Sequence, residues 1–164
     1  MPNKWVVNAS PIIALTSINR ASFLIELCDE LLIPKGVAEE IDRGTEDDPA
    51  KIWLQQYGGV YVKDVGSIEA VIRAWDLGRG ETEVINWAFT NPDWIPVLDD
   101  KAARNCVHSL DRRVLGTIGI IIMAKKEQKI EAVNPLLNQL DQIGFRISRD
   151  LFDAASDLAG EKGN

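Results

Sequence analysis

Histidine and cysteine are scarce in this sequence of 164 residues, which has one histidine, His108, and two cysteines, Cys28 and Cys106. A single histidine excludes metal sites that need two imidazole ligands, and a Ser-His-acid relay would depend on His108 alone. The cysteines lie far apart in the sequence and offer no disulfide framework. We therefore interpret them as core thiols of a protein in a reducing compartment.

Long apolar stretches and glycine-rich phosphate loops are also missing. The longest apolar run, residues 118–124, falls well short of the roughly 20 residues that a membrane-spanning helix needs. No secretion signal is visible at the amino terminus, and no glycines are spaced as GxGxxG or GxxxxGK[ST]. We expect a cytoplasmic protein that makes no contact with a membrane.

Positive charge is in deficit, with 18 Lys and Arg residues against 25 Asp and Glu residues and a formal net charge of −7. This balance argues against a broad basic face for nucleic acid, because each neutralised phosphate needs a cation. A bound metal ion could still supply positive charge. The composition, 46% apolar and 26% charged, is typical of a globular protein, and the length fits one domain.

Short apolar runs alternate with amphipathic stretches, a pattern that indicates βαβ units and a parallel sheet. The predicted strands cover residues 5–7, 31–33, 60–62, 95–98 and 113–115, and the predicted helices cover residues 21–28, 35–43, 50–57, 67–75, 80–90, 101–108 and 117–127. Ser10 and Pro11 are predicted to be the N-cap and first residue of another helix, directly after the first strand. The sequence thus predicts an α/β fold with a central, mainly parallel sheet.

The last part of the chain is predicted to be a helical hairpin on this core. Asn134 and Pro135 begin one helix, Gly144 suits a left-handed C-terminal cap, and Ser148 can cap a final helix over residues 149–159. About 30 residues cannot bury an adequate core alone. We expect one domain over residues 1–164, with an α/β core over 1–130 and a helical extension over 131–164.

Polar residues follow two of the predicted strands, where open α/β sheets bind ligands. Asn8 follows the first strand, and Asp99 and Asp100 follow the strand at 95–98. Either aspartate could instead cap the next helix, for about 1 kcal/mol. Asp100 could also pair with Arg104 one turn later.

Helical periodicity separates two pairs of glutamates. Glu81 continues the apolar stripe of helix 80–90 and is predicted to face inward, whereas Glu83 is rotated by about 200° and should face water. By the same test Glu40 borders the core and Glu39 is solvated. Glu81 could also simply complement the positive end of its helix.

Together these positions favour a carboxylate site at one edge of the sheet. Its predicted members are Asn8, Glu40, Glu81 and Asp99 or Asp100. Hard oxygen ligands without histidine or cysteine select Mg²⁺ or Mn²⁺. Four basic residues flank this set and are interpreted as solvated charges that balance nearby acids: Lys35, Arg79, Lys101 and Arg104.

Several motifs, in their order and spacing, resemble the PIN-domain nucleases, and within them the PIN-like branch that often serves as the toxin of toxin–antitoxin pairs. The motifs are VVNASPIIAL, LLIPKGVAEEI, GRGETEVINWA, VLDDKAAR, RVLGTIGIIIMAKK and GFRIS. The resemblance implies a three-layer α/β/α fold. It also implies an RNA substrate and a small antitoxin protein as partner, and leaves a homodimer open.

The resemblance assigns roles to individual residues. Metal ligands would be Asn8, Glu40, Glu81 and Asp99, with Asp100 as the alternative to Asp99; the four acids would be catalytic and Ser10 would support them. The metal would activate water for in-line attack on an RNA phosphodiester.

Asn8 departs from the family pattern, because it stands where an aspartate is usual. It still offers a carbonyl oxygen but no charge. This substitution supports a second hypothesis, a catalytically weakened PIN-fold module that binds RNA or another protein. A third hypothesis, a receiver-like phosphoacceptor domain, lacks the paired acids expected after the first strand.

Overall fold

A computed structural model describes residues 3–161 and contains a four-stranded parallel sheet. The strands are β1 (Lys4–Val7), β2 (Glu30–Pro34), β3 (Val62–Lys63) and β4 (Trp94–Val97). Their order across the sheet is β3-β2-β1-β4. The central strand β1 is almost wholly apolar, with Trp5, Val6 and Val7 inaccessible to solvent, as expected of a parallel strand covered on both faces.

Ten α-helices and one 3₁₀-helix surround the sheet in this part of the chain. The α-helices are α1 (Ala9–Ser17), α2 (Phe23–Glu26), α3 (Lys35–Asp42), α4 (Pro49–Gln56), α5 (Ala70–Arg73), α6 (Arg79–Thr90), α7 (Lys101–Ser109), α8 (Thr117–Lys126), α9 (Asn134–Gln142) and α10 (Arg149–Leu158). The 3₁₀-helix covers Gly58–Tyr61. The expected α/β/α class with a central parallel sheet and a C-terminal helical hairpin is confirmed. Between residues 3 and 161 no helix has the length and apolar character to cross a membrane.

The strand order creates a crevice between β1 and β4. The chain steps from β1 to β2 and β3 on one side, then returns to place β4 on the other side of β1. The connections that follow β1 and β4 therefore run in opposite directions from the carboxyl ends of these two strands. Open α/β sheets bind ligands in the crevice that such a reversal creates. Asn8, directly after β1, donates its backbone N–H to the carbonyl oxygen of Val97 at the end of β4 (3.1 Å).

Two predicted elements differ in kind from those observed. Residues 113–115 do not form a strand; Leu115 makes one parallel bridge to Val97, and the chain then enters α8. Residues 58–61 form the 3₁₀-helix, so that β3 starts at Val62. The helices predicted at 21–28 and 67–75 are reduced to the single turns α2 and α5.

Ser10 is not the N-cap of α1. The helix begins at Ala9, and Asn8 occupies the cap position without a side-chain capping hydrogen bond. Pro11 fits the first turn because the first four N–H groups of a helix have no intrahelical acceptor. The Ser10 hydroxyl is thereby free to donate to Asp99 (3.2 Å).

The C-terminal hairpin has the predicted caps. Gly144 adopts a left-handed conformation (φ 92°) after α9, and Ser148 accepts a hydrogen bond from the N–H of Leu151 (3.1 Å). Glu161 fastens the end of the hairpin: its carboxylate accepts hydrogen bonds from the N–H of Val133 (2.7 Å) and from the Lys125 ammonium (2.9 Å).

Replacing Glu161 with glutamine should loosen the hairpin. Burial works against ionisation of Glu161, but hydrogen bonds from Val133, Lys125 and Asn134 and the charge of Lys125 outweigh it, so its pKa lies below the ordinary value. Its stabilising effect is therefore full above the ordinary glutamate pKa, about 4.3, and is lost as pH falls through the folded value. Glu161→Gln should cost about 1 kcal/mol in urea unfolding at neutral pH. Glu127→Gln, which changes an exposed glutamate of the same region, should cost less; equal losses would contradict the fastening role.

Candidate active site

An open cleft of about 400 Å³ lies at the carboxyl ends of β1 and β4. It is lined by Asn8, Ser10, Glu81, Asp99, Asp100, Phe145 and Arg146. Five of these seven residues are site members that the sequence predicts. The sixth predicted member, Glu40, is exposed on α3, and its charge reaches Glu81.

Asn8 carries a buried oxygen with no partner. The residue is 5% exposed, and its side-chain Oδ1 accepts no hydrogen bond from the described residues. A buried carbonyl left without a partner is costly, and such atoms are rare in folded proteins. A Cβ at Gly80 would lie 3.1 Å from this oxygen, so glycine at position 80 lets the start of α6 come close to Asn8.

Asp99 is fixed by three hydrogen bonds. Its carboxylate accepts from the Thr117 N–H (2.8 Å), from the Thr117 hydroxyl (2.6 Å) and from the Ser10 hydroxyl (3.2 Å). The carboxylate thus meets the start of α8, where helix N–H groups favour negative charge.

Asp100 caps α7, accepting a hydrogen bond from the N–H of Ala103 (3.0 Å). The capping alternative therefore holds for Asp100. Because its side chain also lines the cleft, capping and participation in the site are compatible.

Glu81 is electrostatically disfavoured as a carboxylate. Partial burial is the largest cause that raises its pKa, followed by the negative charge of Asp100 and then that of Glu40; a hydrogen bond from the backbone of Gly78 opposes them. The charges of Asp100 and Glu40 therefore both act on Glu81. A cation bound beside Glu81 would relieve both the repulsion and the cost of desolvating its carboxylate.

The predicted orientations of Glu39 and Glu40 on α3 are wrong. Glu40 is exposed, whereas Glu39 is half-buried and pairs with Arg79 of α6. Periodicity places Glu40, and not Glu39, beside the apolar stripe of α3, because it carries no information about the arginine that α6 brings to Glu39.

The prediction that Glu83 faces water is also wrong. Glu83 is 7% exposed, accepts a hydrogen bond from the N–H of Gly36 (3.0 Å) and pairs with Arg79 (2.8 Å). Helix α3 begins at Pro34-Lys35 without a side-chain cap of its own, and its exposed N–H groups need an acceptor. Glu83 supplies one from α6, and a Cβ at Gly36 would overlap its carboxylate.

The flanking basic residues divide into two groups. Arg79 balances Glu39 and Glu83, as the interpretation of these residues predicts. Arg104 does not pair with Asp100; its Nη1 donates to the carbonyl oxygen of Leu98 (2.9 Å). No carboxylate between residues 3 and 161 forms an ion pair with Arg104 or Arg146.

The oxygen atoms of the residues that line the cleft are of the chemical kind that binds a hard divalent cation. Carboxylate, amide and hydroxyl oxygens are the ligands that Mg²⁺ and Mn²⁺ prefer, and Asn8, whose buried side-chain oxygen has no partner among the described residues, is one of the residues that line the cleft. In the described part of the chain no three acidic, histidine or cysteine side chains converge on one point. An ion here would therefore depend on oxygens beyond the carboxylates, including Asn8.

Three residues around the site were not among the predicted members. Thr117 follows a glycine at the start of α8 and orients Asp99 through two hydrogen bonds. The sequence around Thr117 does not by itself indicate this role. Phe145 and Arg146 reach the cleft from the loop between α9 and α10. The GFRIS motif was the only feature of the sequence that pointed to Phe145 and Arg146, because no spacing rule relates residue 146 to residue 8.

A family model described as PIN domain matches residues 4–161. The chain belongs to the PIN-domain family. No curated protein and no solved structure matches it at the significance required. Membership indicates a nuclease acting on nucleic acid, and PIN domains generally use divalent metals.

Substitutions at Glu81 and Glu83 should affect stability in opposite ways. Glu83→Ala leaves the Gly36 N–H and the Nε of Arg79 without an acceptor, so we expect a loss of about 1–3 kcal/mol. Glu81→Gln removes a repelled carboxylate and should leave the unfolding temperature equal or higher at pH 7, measured by differential scanning calorimetry. Equal losses in both variants would contradict this division of roles.

The pH dependence supplies a second readout. Because the folded pKa of Glu81 is raised, its contribution makes the folded state less stable as pH rises from about 4.3 through the folded value. Glu81→Gln should flatten that decline. An unchanged pH profile would show that neither burial nor the charges of Asp100 and Glu40 raise the pKa of Glu81 in the folded protein.

Proposed function

We propose that this protein is a divalent-metal-dependent ribonuclease that hydrolyses RNA phosphodiester bonds. The supporting observation is that Asn8 lines a cleft together with Glu81, Asp99 and Asp100 and carries a buried oxygen with no hydrogen-bond partner among the described residues. Membership in the PIN-domain family supplies the reaction class. The cofactor would be Mg²⁺ or Mn²⁺, chosen by the oxygen ligands.

Each residue would have a defined part in this activity. Asn8, Glu81 and Asp99 would hold the ion, with Asp100 and Glu40 adding negative charge that acts on Glu81. Ser10 and Thr117 would keep Asp99 oriented through their hydrogen bonds. When bound, the metal would activate water and stabilise the departing oxygen.

Asn8 itself supports the second candidate, a catalytically weakened module that binds RNA or protein. Replacing a charged ligand by a neutral one removes an attraction of roughly 4 kcal/mol at 4 Å and an effective dielectric of 20, before desolvation. Metal affinity should then fall by a decade or more. The absence of a three-acid cluster in residues 3–161 agrees with an ion held weakly.

The biological setting is part of the same proposal. The motif resemblance supports a toxin of a toxin–antitoxin pair, with a small antitoxin protein as partner. Two cysteines without a disulfide bond support a cytoplasmic location. We further propose a single domain over residues 1–164; whether it forms a homodimer is measurable by light scattering of the purified protein.

Cleavage of RNA should require both the metal and the acidic cleft. Purified protein incubated with a mixed pool of single-stranded RNA should cleave it in Mn²⁺ or Mg²⁺ and not in EDTA. Glu81→Gln should lower the rate by at least 100-fold, on the order expected for removing a group that stabilises the transition state. Asp157→Asn changes an exposed acid away from the cleft and serves as the matched control. A folded parent without cleavage would favour the binding module.

Restoring the charge at position 8 should strengthen metal binding. Asn8→Asp should raise Mn²⁺ affinity about tenfold in calorimetric titration and increase the cleavage rate. Asn138→Asp adds the same charge at an exposed position of α9 and should change neither. Weaker binding by Asn8→Asp would mean that the Asn8 oxygen is not a ligand.

A further inference from the structure

A second groove, of about 420 Å³, continues from the cleft along α8. The two cavities share Asp99, Phe145 and Arg146, so an extended ligand bound in one cavity could continue into the other. The size is within the roughly 300–1,000 Å³ typical of ligand pockets. None of the predicted metal ligands except Asp99 lines this groove.

The charge of the groove is opposite to that of the cleft. Arg104 and Arg146 line it, and Asp99 is the one acid in its lining. Asp99 is already engaged by Thr117 and Ser10. Arg104 uses Nη1 for the Leu98 carbonyl, which leaves Nη2 and Nε without a hydrogen bond to the described residues. Guanidinium groups available in this way match phosphate oxygens.

Gly116 brings this positive charge close to the carboxylate. A Cβ at Gly116 would lie 2.9 Å from Arg104 Nη1 and 3.2 Å from Asp99 Oδ1. Glycine at position 116 therefore lets the Arg104 guanidinium and the Asp99 carboxylate approach the same part of the backbone. A phosphate bound by the remaining donors of Arg104, Nη2 and Nε, would lie near the proposed metal ligand.

The walls of the groove are apolar. Ile118 and Ile122 of α8 are half-buried, and Phe145 presents a half-buried ring from the opposite loop. A base that is not stacked in a duplex can lie on an aromatic ring, and this contact tolerates any base identity. A groove lined by both apolar side chains and two arginines suits a nucleotide better than an acidic peptide or a bare ion.

We propose that this groove binds the nucleotide next to the scissile phosphate of single-stranded RNA, with its base against Phe145 and its phosphate on Arg146 and Arg104. The proposal rests on the proposed ribonuclease function and adds to it the residues that contact the base and the phosphate of this nucleotide. Duplex RNA would be a poor ligand, because its stacked bases cannot enter the groove.

Binding can be measured apart from cleavage by fluorescence anisotropy of fluorescein-labelled single-stranded RNA in EDTA. Phe145→Ala should weaken binding about 5- to 150-fold, the range that stacking of one base gives, and should leave binding of an abasic oligomer of equal length unchanged. Arg146→Gln should weaken binding of both oligomers and lower the slope of log affinity against log salt by about 0.7. Unlabelled duplex RNA should compete poorly.

Control variants separate contact from folding. Phe152→Ala and Arg149→Gln change the same hairpin outside the groove and should leave RNA affinity as in the parent. Phe145→Leu keeps apolar packing without the ring and should lose affinity with an unchanged unfolding temperature, whereas Phe145→Trp should retain it. An equal loss for abasic and base-bearing RNA, or no loss in any Phe145 or Arg146 variant, would overturn the proposal, and a protein segment would then be the remaining occupant.

The two proposals can fail separately. If the parent cleaves RNA in Mn²⁺ and Glu81→Gln does not, while the groove variants bind and cleave like the parent, only the nucleotide subsite is overturned. If the parent does not cleave but binding depends on Phe145 and on the presence of bases, the subsite stands and the ribonuclease assignment falls.

Discussion

The half-buried carboxylate of Glu81, facing the charges of Asp100 and Glu40, is the constraint around which this end of the molecule is arranged. Like charges in a partly desolvated setting oppose folding, so the surrounding structure must hold them together by other means. The parallel sheet does part of this, because β1 and β4 deliver Asn8 and Asp99 to one crevice. Close packing of α6 does the rest, and glycine at position 80 is what permits it.

The Glu83–Arg79–Glu39 network explains how α6 and α3 keep their relative positions despite this repulsion. Glu83 of α6 accepts a hydrogen bond from an N–H group in the first turn of α3. Arg79, also of α6, pairs both with Glu83 and with Glu39 of α3. A buried carboxylate is tolerable here because two donors satisfy it. Glu39 and Glu83 form ion pairs with Arg79, whereas the acids of the cleft form none with residues 3–161. That contrast distinguishes the structural carboxylates from the proposed functional ones.

The sequence was sufficient to predict the α/β class, most helices, and five of the seven residues lining the cleft. Those predictions depend on local signals: apolar periodicity, strand ends and caps. Predictions for Glu83 and Glu39 were wrong because each carboxylate is satisfied by a partner on another element, which periodicity cannot reveal. The prediction of a strand at 113–115 was wrong for a related reason. This segment makes only a single bridge at the sheet edge, and the chain then turns into α8.

The distribution of charge also reconciles a net charge of −7 with a nucleic acid substrate. Phosphate recognition over a broad face would need an excess of basic residues, but a short contact needs few. Acids concentrated in the cleft would attract a cation, and that cation together with Arg104 and Arg146 would supply positive charge only along the path from cleft to groove. Binding limited to so few charges should depend less steeply on salt than binding by a broad basic face, and should draw its remaining affinity from contacts with the base.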